Sequence, residues 1–290
     1  MEIVRTVEWM KEVSRGAREK ERIIGLVPTM GALHEGHLSL VRAAKRECSP
    51  VVVSIFVNPK QFGQGEDLEK YPRRMEQDCA ALESLGVEYV FAPSSAEMYP
   101  AGFSTAVIVE GLSDRFEGRS RPAHFRGVTT VVLKLFEIVQ PHFAYFGRKD
   151  AQQVRIIRRM AGDLNLDAQI VTCPIVREPD GLAMSSRNAY LNGDERRAAT
   201  ALFRALGAMK AEIDAGQRET GRLKEAMRRV FDAEPGAALD YAEIVDAETL
   251  EPAVFLRGTC LALVAAFVGK TRLIDNALIE ASSSLVSVTL

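Results

Sequence analysis

The chain has 290 residues, 47% of them hydrophobic and 26% charged, with 37 basic and 39 acidic side chains and a net charge of −2. Those proportions are ordinary for a globular protein, and the length suits one large domain plus a smaller one. The lack of a basic excess counts against a nucleic-acid partner, and the longest apolar run, Cys260 to Val268, is too short to cross a bilayer.

Alternating strand and helix patterns fill the first two thirds. Ile23 to Val27 reads as a buried strand stopped by Pro28, and Gly36 to Glu47 as a helix with an apolar stripe of Leu40, Val41 and Ala44. Val51 to Val57 is the clearest buried strand; Asp67 to Leu85 is helical, with Met75, Cys79 and Leu82 on one face; Val87 to Phe91 is strand. A helix marked by Val128, Val132, Leu135, Phe136 and Val139 follows, then strand His142 to Phe146, helix Ala151 to Leu164 and strand Ala168 to Cys173. This alternation predicts βαβ units and a parallel sheet.

Near Ser185 the texture changes. One long helix is expected over Asp194 to Ala215 and another after Gly221, then strands Leu239 to Val245, Leu261 to Val268 and Thr271 to Ile279, with Ser282-Ser283-Ser284 as a frayed tail. The expectation is an α/β protein: a Rossmann-like parallel-sheet domain over 1–184 and a smaller α+β lid domain over 185–290. The cysteines Cys48, Cys79, Cys173 and Cys260 form no CxxC pair, so buried reduced thiols are expected rather than zinc or disulfides. The opening Met1-Glu2-Ile3-Val4-Arg5 lacks a signal-peptide layout, and a cytoplasmic protein is expected.

Ligands of open parallel sheets bind beyond the carboxyl ends of the strands, so the segments after each strand carry the chemistry. After the first comes Pro28-Thr29-Met30-Gly31-Ala32-Leu33-His34-Glu35-Gly36-His37. A helix start offers unpaired N–H groups to a phosphate, the glycines allow close approach, and His34 and His37 can both donate to it. The plainer reading, one histidine capping and the other packing, is the minority view with two histidines and two glycines at this junction. Phe146-Gly147-Arg148-Lys149-Asp150 places a cation and an acid before a helix, where capping alone is about as good an account. Met184-Ser185-Ser186-Arg187-Asn188 offers hydroxyls and an arginine to a triphosphate, and by itself would pass for a linker. Arg115, Arg119, Arg121 and Arg126 form a lid or, for any one of them, a solvated loop. No G-x-G-x-x-G follows the first strand, Gly269-Lys270-Thr271 lacks the earlier glycine of a P-loop, and no G-x-S-x-G elbow exists.

The HxGH of His34 to His37 with a late Met-Ser-Ser-Arg resembles the HIGH and KMSKS signatures of the adenylyl-transferring superfamily. VPTMGALHEGHLSLV, VSIFVNPKQFG, RPAHFRGV, FGRKDAQQ and DGLAMSSRN, in that order, resemble the pantoate–β-alanine ligase family. The resemblance implies ATP-dependent condensation of (R)-pantoate with β-alanine through a pantoyl adenylate, with Mg²⁺, in a homodimer with no nucleic-acid or membrane partner. It implies an ATP site of Met30 to His37 (Met30, Gly31, Ala32, Leu33, His34, Glu35, Gly36, His37), Gly147 to Asp150, Val176 and Met184 to Arg187. His37 would be the proton donor, with His34, Lys149, Ser185, Ser186 and Arg187 stabilising charge. Gln61 and Gln153 would hold pantoate, Gln61 would also lie close to β-alanine, and Tyr71, Glu117 and His124 would sit near the substrates. The chain departs from the family pattern at Arg148 (usually Glu), Ala151 (Tyr), Arg74 (Thr) and His142 (Asp). Two rivals stand beside this reading: a small-molecule nucleotidylyltransferase of the same superfamily, and a nucleotide- or RNA-binding module that has lost the chemistry.

Overall fold

The computed structural model describes residues 1–282 and 285–290. Contacts gather the chain into two compact units, one of residues 1–148 with 152–174, the other of residues 149–151 with 175–290.

The first unit is built on a six-stranded, all-parallel sheet: β1 (Glu2–Val4), β2 (Gly25–Thr29), β3 (Val51–Ile55), β4 (Tyr89–Phe91), β5 (Phe143–Gly147) and β6 (Gln169–Cys173), in the order β1-β4-β3-β2-β5-β6. Its helices are α1 (Val7–Glu19), α2 (Glu35–Glu47), α3 (Met75–Ser84), the single turns α4 (Ser95–Met98) and α5 (Glu117–Ser120), α6 (His124–Val139) and α7 (Ala151–Asp163). Strand side chains alternate between faces. Val27, Val51, Val53, Val90 and Tyr145 pack with Leu40, Val41 and Ala44 of α2 and Leu82 of α3. The alternate set, Leu26, Val52, Phe91 and Ala144, is equally buried, so both faces are covered, as parallel sheets require. That burial is why these strands read as continuous apolar runs.

Strand order reverses between β2 and β5, and this switch point is where such sheets open a crevice. The two strands pair only over Gly25–Leu26 and Phe143–Ala144. Beyond that, β2 stays paired with β3 alone, through Thr29.

Several expectations change here. Pro28 does not stop β2; it sits inside the strand opposite Ser54. Gly25 N and Thr29 N both point to β3, so Pro28 faces β5, where pairing has already ended, and its missing N–H removes no ladder bond. The helix expected from Asp67 begins only at Met75, because Pro72 disfavours helix at the residue before it. The edge strand β1 and helix α1, capped by Thr6, are additions: a three-residue strand carries too little pattern to be seen.

The second unit is an antiparallel sheet, β10-β9-β8-β7, formed by β7 (Ala237–Asp246), β8 (Gly258–Val268), β9 (Thr271–Ala281) and β10 (Val286–Thr289). Helices α8 (Gly193–Ala199), α9 (Ala201–Asp214) and α10 (Thr220–Asp232) accompany it, and Leu202, Leu206, Met209, Leu223 and Met227 build one core with the strands. The single helix expected from Asp194 is two, broken at Thr200. In the tail expected to fray, Ser282 bonds Leu285 through its N–H and hydroxyl, and beyond that tail β10 pairs β9. Ser283 and Ser284, part of that expectation, lie outside the described residues. Gly269-Lys270 is the hairpin turn between β8 and β9. The four cysteines are free; three are buried and Cys79 is half-buried. No helix among the described residues is long and apolar enough to cross a membrane.

Candidate active site

The loop after β2 is held by hydrogen bonds within the first unit. Thr29 Oγ1 donates to Ser54 O at 2.7 Å and accepts from Gly31 N at 3.1 Å. Gly31 and Ala32 both adopt positive φ, 80° and 51°. The left-handed form costs a non-glycine residue about 1–2 kcal/mol, so Ala32 needs compensation. Asp78, on α3, supplies it: its carboxylate accepts from Ala32 N at 2.9 Å and Leu33 N at 2.8 Å. Hydrogen bonds to a charged group contribute about 1.5–3 kcal/mol each, enough to hold the turn.

His34 is the N-cap of α2, its Nδ1 accepting from Gly36 N at 3.1 Å. His37 completes a capping box, its Nδ1 accepting from His34 N at 3.4 Å. The rings lie 4.1 Å apart. Both histidines therefore cap, which is more than the plainer reading required, and capping leaves chemistry open. A ring that accepts at Nδ1 carries its neutral proton on Nε2, so the fold sets the same tautomer in both. Glu35 lies beside them in the first turn, exposed.

Gln61 ends a short 3-10 turn, Pro59–Gln61, after β3, and is 8% exposed. Its Nε2 donates to Met30 Sδ and its Oε1 accepts from Asn58 Nδ2 at 3.0 Å, so Met30 and Gln61 are brought together. Asn58 Nδ2 also donates to Gly127 O, and Tyr99 Oη donates to Asn58 Oδ1 at 2.8 Å. Helix α6 crosses this turn at Gly127 so closely that a Cβ there would lie 2.2 Å from Lys60 O.

His124 Nδ1 lies 3.0 Å from Gln61 O, and Arg121 bridges His124 Nε2 and a two-point ion pair with Glu66 at 2.6 and 2.9 Å. Nδ1–H donates to the carbonyl and Nε2 accepts from the guanidinium. Burial, reinforced by the Arg121 charge, lowers the His124 pKa to about 4, so the ring is neutral at pH 7. Burial raises the Glu66 carboxyl, but the Arg121 hydrogen bond and charge outweigh it and hold it below the usual value. Of the expected solvated arginines, Arg121 is thus bonded instead. Tyr71 is buried edge-on to Phe62, and Glu117 is buried at the start of α5. Gln153, on α7, is half-buried; its neighbour Gln152 is buried and holds the preceding loop through Glu117 N, Leu112 O and Arg115 O. Gly147 ends β5, and Arg148 follows it.

In the second unit, Lys149 and Asp150 end a 3-10 turn, with Lys149 Nζ 3.9 Å from Asp150 Oδ1 and Lys149 O accepting from Asn276 Nδ2 at 2.9 Å. Val176 O accepts from Met184 N, closing a loop around Gly181. Arg177 supports that loop through Gly181 O and a two-point pair with Asp275 at 2.6 and 3.1 Å. Burial pushes the Asp275 carboxyl up against the opposing pull of Arg177. Ser185 Oγ caps a 3-10 turn over Ser186–Tyr190 by accepting from Arg187 N, and this turn packs against β9, the strand of Asn276. Lys149 and the Met184 to Arg187 segment thus share one supporting strand.

Asn58, Asp78, Glu66 and Gln152 were not singled out in the sequence, and Arg121 was named only within an arginine stretch read as a lid or a solvated loop. Asn58 had a signal, the Asn-Pro turn pair. Asp78 had one as well: it takes the buried stripe position between Met75 and Leu82 that periodicity assigned to Cys79. Arg121, Glu66 and Gln152 act through contacts distant in sequence, which spacing does not reveal. Three of the four departures can be placed. Arg74 is the N-cap of α3 and makes no side-chain cap bond, which a threonine could. His142 Nδ1 accepts from Ile24 N at 3.0 Å, as an aspartate could. Ala151 is buried at the start of α7.

The model of the pantoate–β-alanine ligase family matches residues 2–278. The chain is 54% identical over 284 residues to the pantothenate synthetase of Koribacter versatilis, covering 98% of both chains. It is 61% identical over 258 residues to that of Acidobacterium capsulatum, covering 89% of this chain and 86% of the relative. Among solved structures, the Thermus thermophilus pantothenate synthetase superposes with a TM-score of 0.90 at 46% identity, covering 95% of this chain and 98% of that one. The Francisella tularensis pantoate–β-alanine ligase, solved with a β,γ-ATP compound and β-alanine, gives 0.78 at 36% identity, covering 95% and 97%. The chain belongs to the pantoate–β-alanine ligase family.

Proposed function

We propose that the chain activates (R)-pantoate with ATP and passes the pantoyl group to the amine of β-alanine, giving pantothenate, AMP and pyrophosphate through a pantoyl adenylate. The observation that carries this is the family match over nearly the whole length, together with a pair of histidines whose shared tautomer suits phosphate donation. A carboxylate is a poor acyl donor because oxide is a poor leaving group. Attack by the pantoate oxygen on the α-phosphorus expels pyrophosphate and makes a mixed anhydride; attack by the β-alanine amine on its carbonyl then expels AMP.

No enzyme nucleophile is needed. The protein must align the groups, balance phosphate charge and exclude water. Our assignment gives ATP to Met30 through His37, Gly147 through Asp150, Val176 and Met184 through Arg187. His34 and His37 donate from Nε2–H to its phosphates, while Lys149, Ser185, Ser186 and Arg187 balance the charge that pyrophosphate gathers. Gln61 and Gln153, neutral amides, bond the hydroxyls and carboxylate of pantoate, and Gln61 also meets β-alanine. Tyr71, Glu117 and His124 shape the substrate pocket; a neutral His124 serves by hydrogen bonding rather than by charge. Mg²⁺, which the family resemblance implies, enters with ATP as part of the substrate.

The same proposal assigns substrate activation to residues 1–184 and closure over ATP to 185–290. It includes a cytoplasmic homodimer, supported by the family resemblance; sedimentation as a monomer at micromolar concentration would remove the dimer. The function is tested by ATP–pyrophosphate exchange, expected only with pantoate and Mg²⁺ present, with AMP and pantothenate appearing on addition of β-alanine. Exchange without pantoate, or a stable nucleotide conjugate as product, would refute it.

A further inference from the structure

Asp78 lies outside every assignment made above. It is 3% exposed on the first turn of α3, and both its oxygens are engaged by consecutive amides of the loop that leads into α2. Consecutive amides reach one carboxylate only where the chain bends sharply, and here Gly31 and Ala32 supply two positive φ angles in a row. The fit is close: a Cβ on Gly31 would lie 3.0 Å from Asp78 Oδ2 and from Ile55 Cγ2. The next residue along is His34, whose own N–H bonds His37 Nδ1. A short path of hydrogen bonds and backbone therefore links the buried carboxylate to both imidazoles.

We propose that Asp78 is a positioning residue of the ATP site, fixing the direction in which the chain enters α2 and so the aim of His34 and His37. The inference rests on reading those histidines as ATP ligands. It also means that the amides of Ala32 and Leu33 are engaged before ATP arrives, so ATP meets these two residues through other atoms. Asp78→Asn keeps size but offers one oxygen where two amides need acceptors, and turns an NH₂ toward the second.

The test is pantoate-dependent ATP–pyrophosphate exchange in the full chain, comparing wild type, Asp78→Asn, His37→Ala and the double variant. Asp78→Asn is expected to raise KM for ATP about tenfold or more while KM for pantoate moves less than about twofold. In the His37→Ala background the same change is expected to add less than about threefold, since both act through one element. A normal KM for ATP in Asp78→Asn, or losses that multiply in the double variant, would overturn the role of Asp78. A normal His37→Ala enzyme would instead sink the histidine reading on which it rests. Should Asp78→Asn fail to fold, amide exchange in nucleotide-free wild type decides: Ala32 and Leu33 are expected to exchange at least about tenfold slower than unstructured amides, and fast exchange at both overturns the proposal.

Discussion

The two segments assigned to the triphosphate are anchored in opposite ways. Met30 to His37 is tied down by amides: a buried carboxylate takes two backbone N–H groups, and a threonine hydroxyl and two imidazoles take one each. Val176 to Arg187 is tied down by a cation: Arg177 joins a carbonyl of its own loop to Asp275. The first anchor ties up amides of the loop assigned to ATP, and the second joins a side chain of its own loop to β9. Damage to the first is expected to appear in rate, and damage to the second in stability.

Arg177→Ala is the largest break. It leaves Asp275 buried without its cation, and uncompensated buried charges cost about 3–5 kcal/mol, read as a fall in the denaturant midpoint at constant slope. A loss under about 1 kcal/mol would mean the pair is not the anchor. His37→Ala is expected to slow single-turnover adenylate formation by about a hundredfold or more with the midpoint little changed. A near-normal rate would strike His37 from the site.

The pH dependence of stability sharpens the contrast around the Gln61 turn. His124 titrates near 4 when folded and near 6.5 when unfolded, so its contribution is complete above pH 6.5. As pH falls the unfolded chain takes up the proton first, and on the order of 2–3 kcal/mol is lost by pH 4. His124→Gln should flatten that decline; an unchanged slope between pH 6.5 and 4 would show that other groups govern it. Smallest is Arg74→Thr, which restores a cap to α3 and should add about 1 kcal/mol, measurable as a rise in midpoint. No rise would mean the cap is satisfied in another way.

Much of this architecture could be read in advance. The parallel strands are buried on both faces, so they appear as apolar runs, and the helices between them as periodic stripes. Features set by geometry beyond the local window were hidden: Pro28 is tolerated because the pairing of β2 with β5 stops at Leu26, and the break at Thr200 has no glycine or proline to announce it. In the candidate site, His34, His37 and the Ser185–Arg187 segment stood out in the sequence because the chemistry they suggest is local. Asp78 did not, because a charged residue on a helix looks the same whether it faces water or a distant amide, and the partner of Arg121, Glu66, lies far from it in sequence.

One strand of the second unit carries two unlike anchors in adjacent positions. Asp275 and Asn276 on β9 point to opposite faces, one to Arg177 and the other to the carbonyl of Lys149. A slip of β9 by a single residue would bring either Asn276 to the guanidinium with Ala277 at the carbonyl, or Ile274 to the guanidinium with Asp275 at a carbonyl that can only accept. Two neighbouring side chains thus act as a lock and its check on strand register, and misthreading here would lose both supports together.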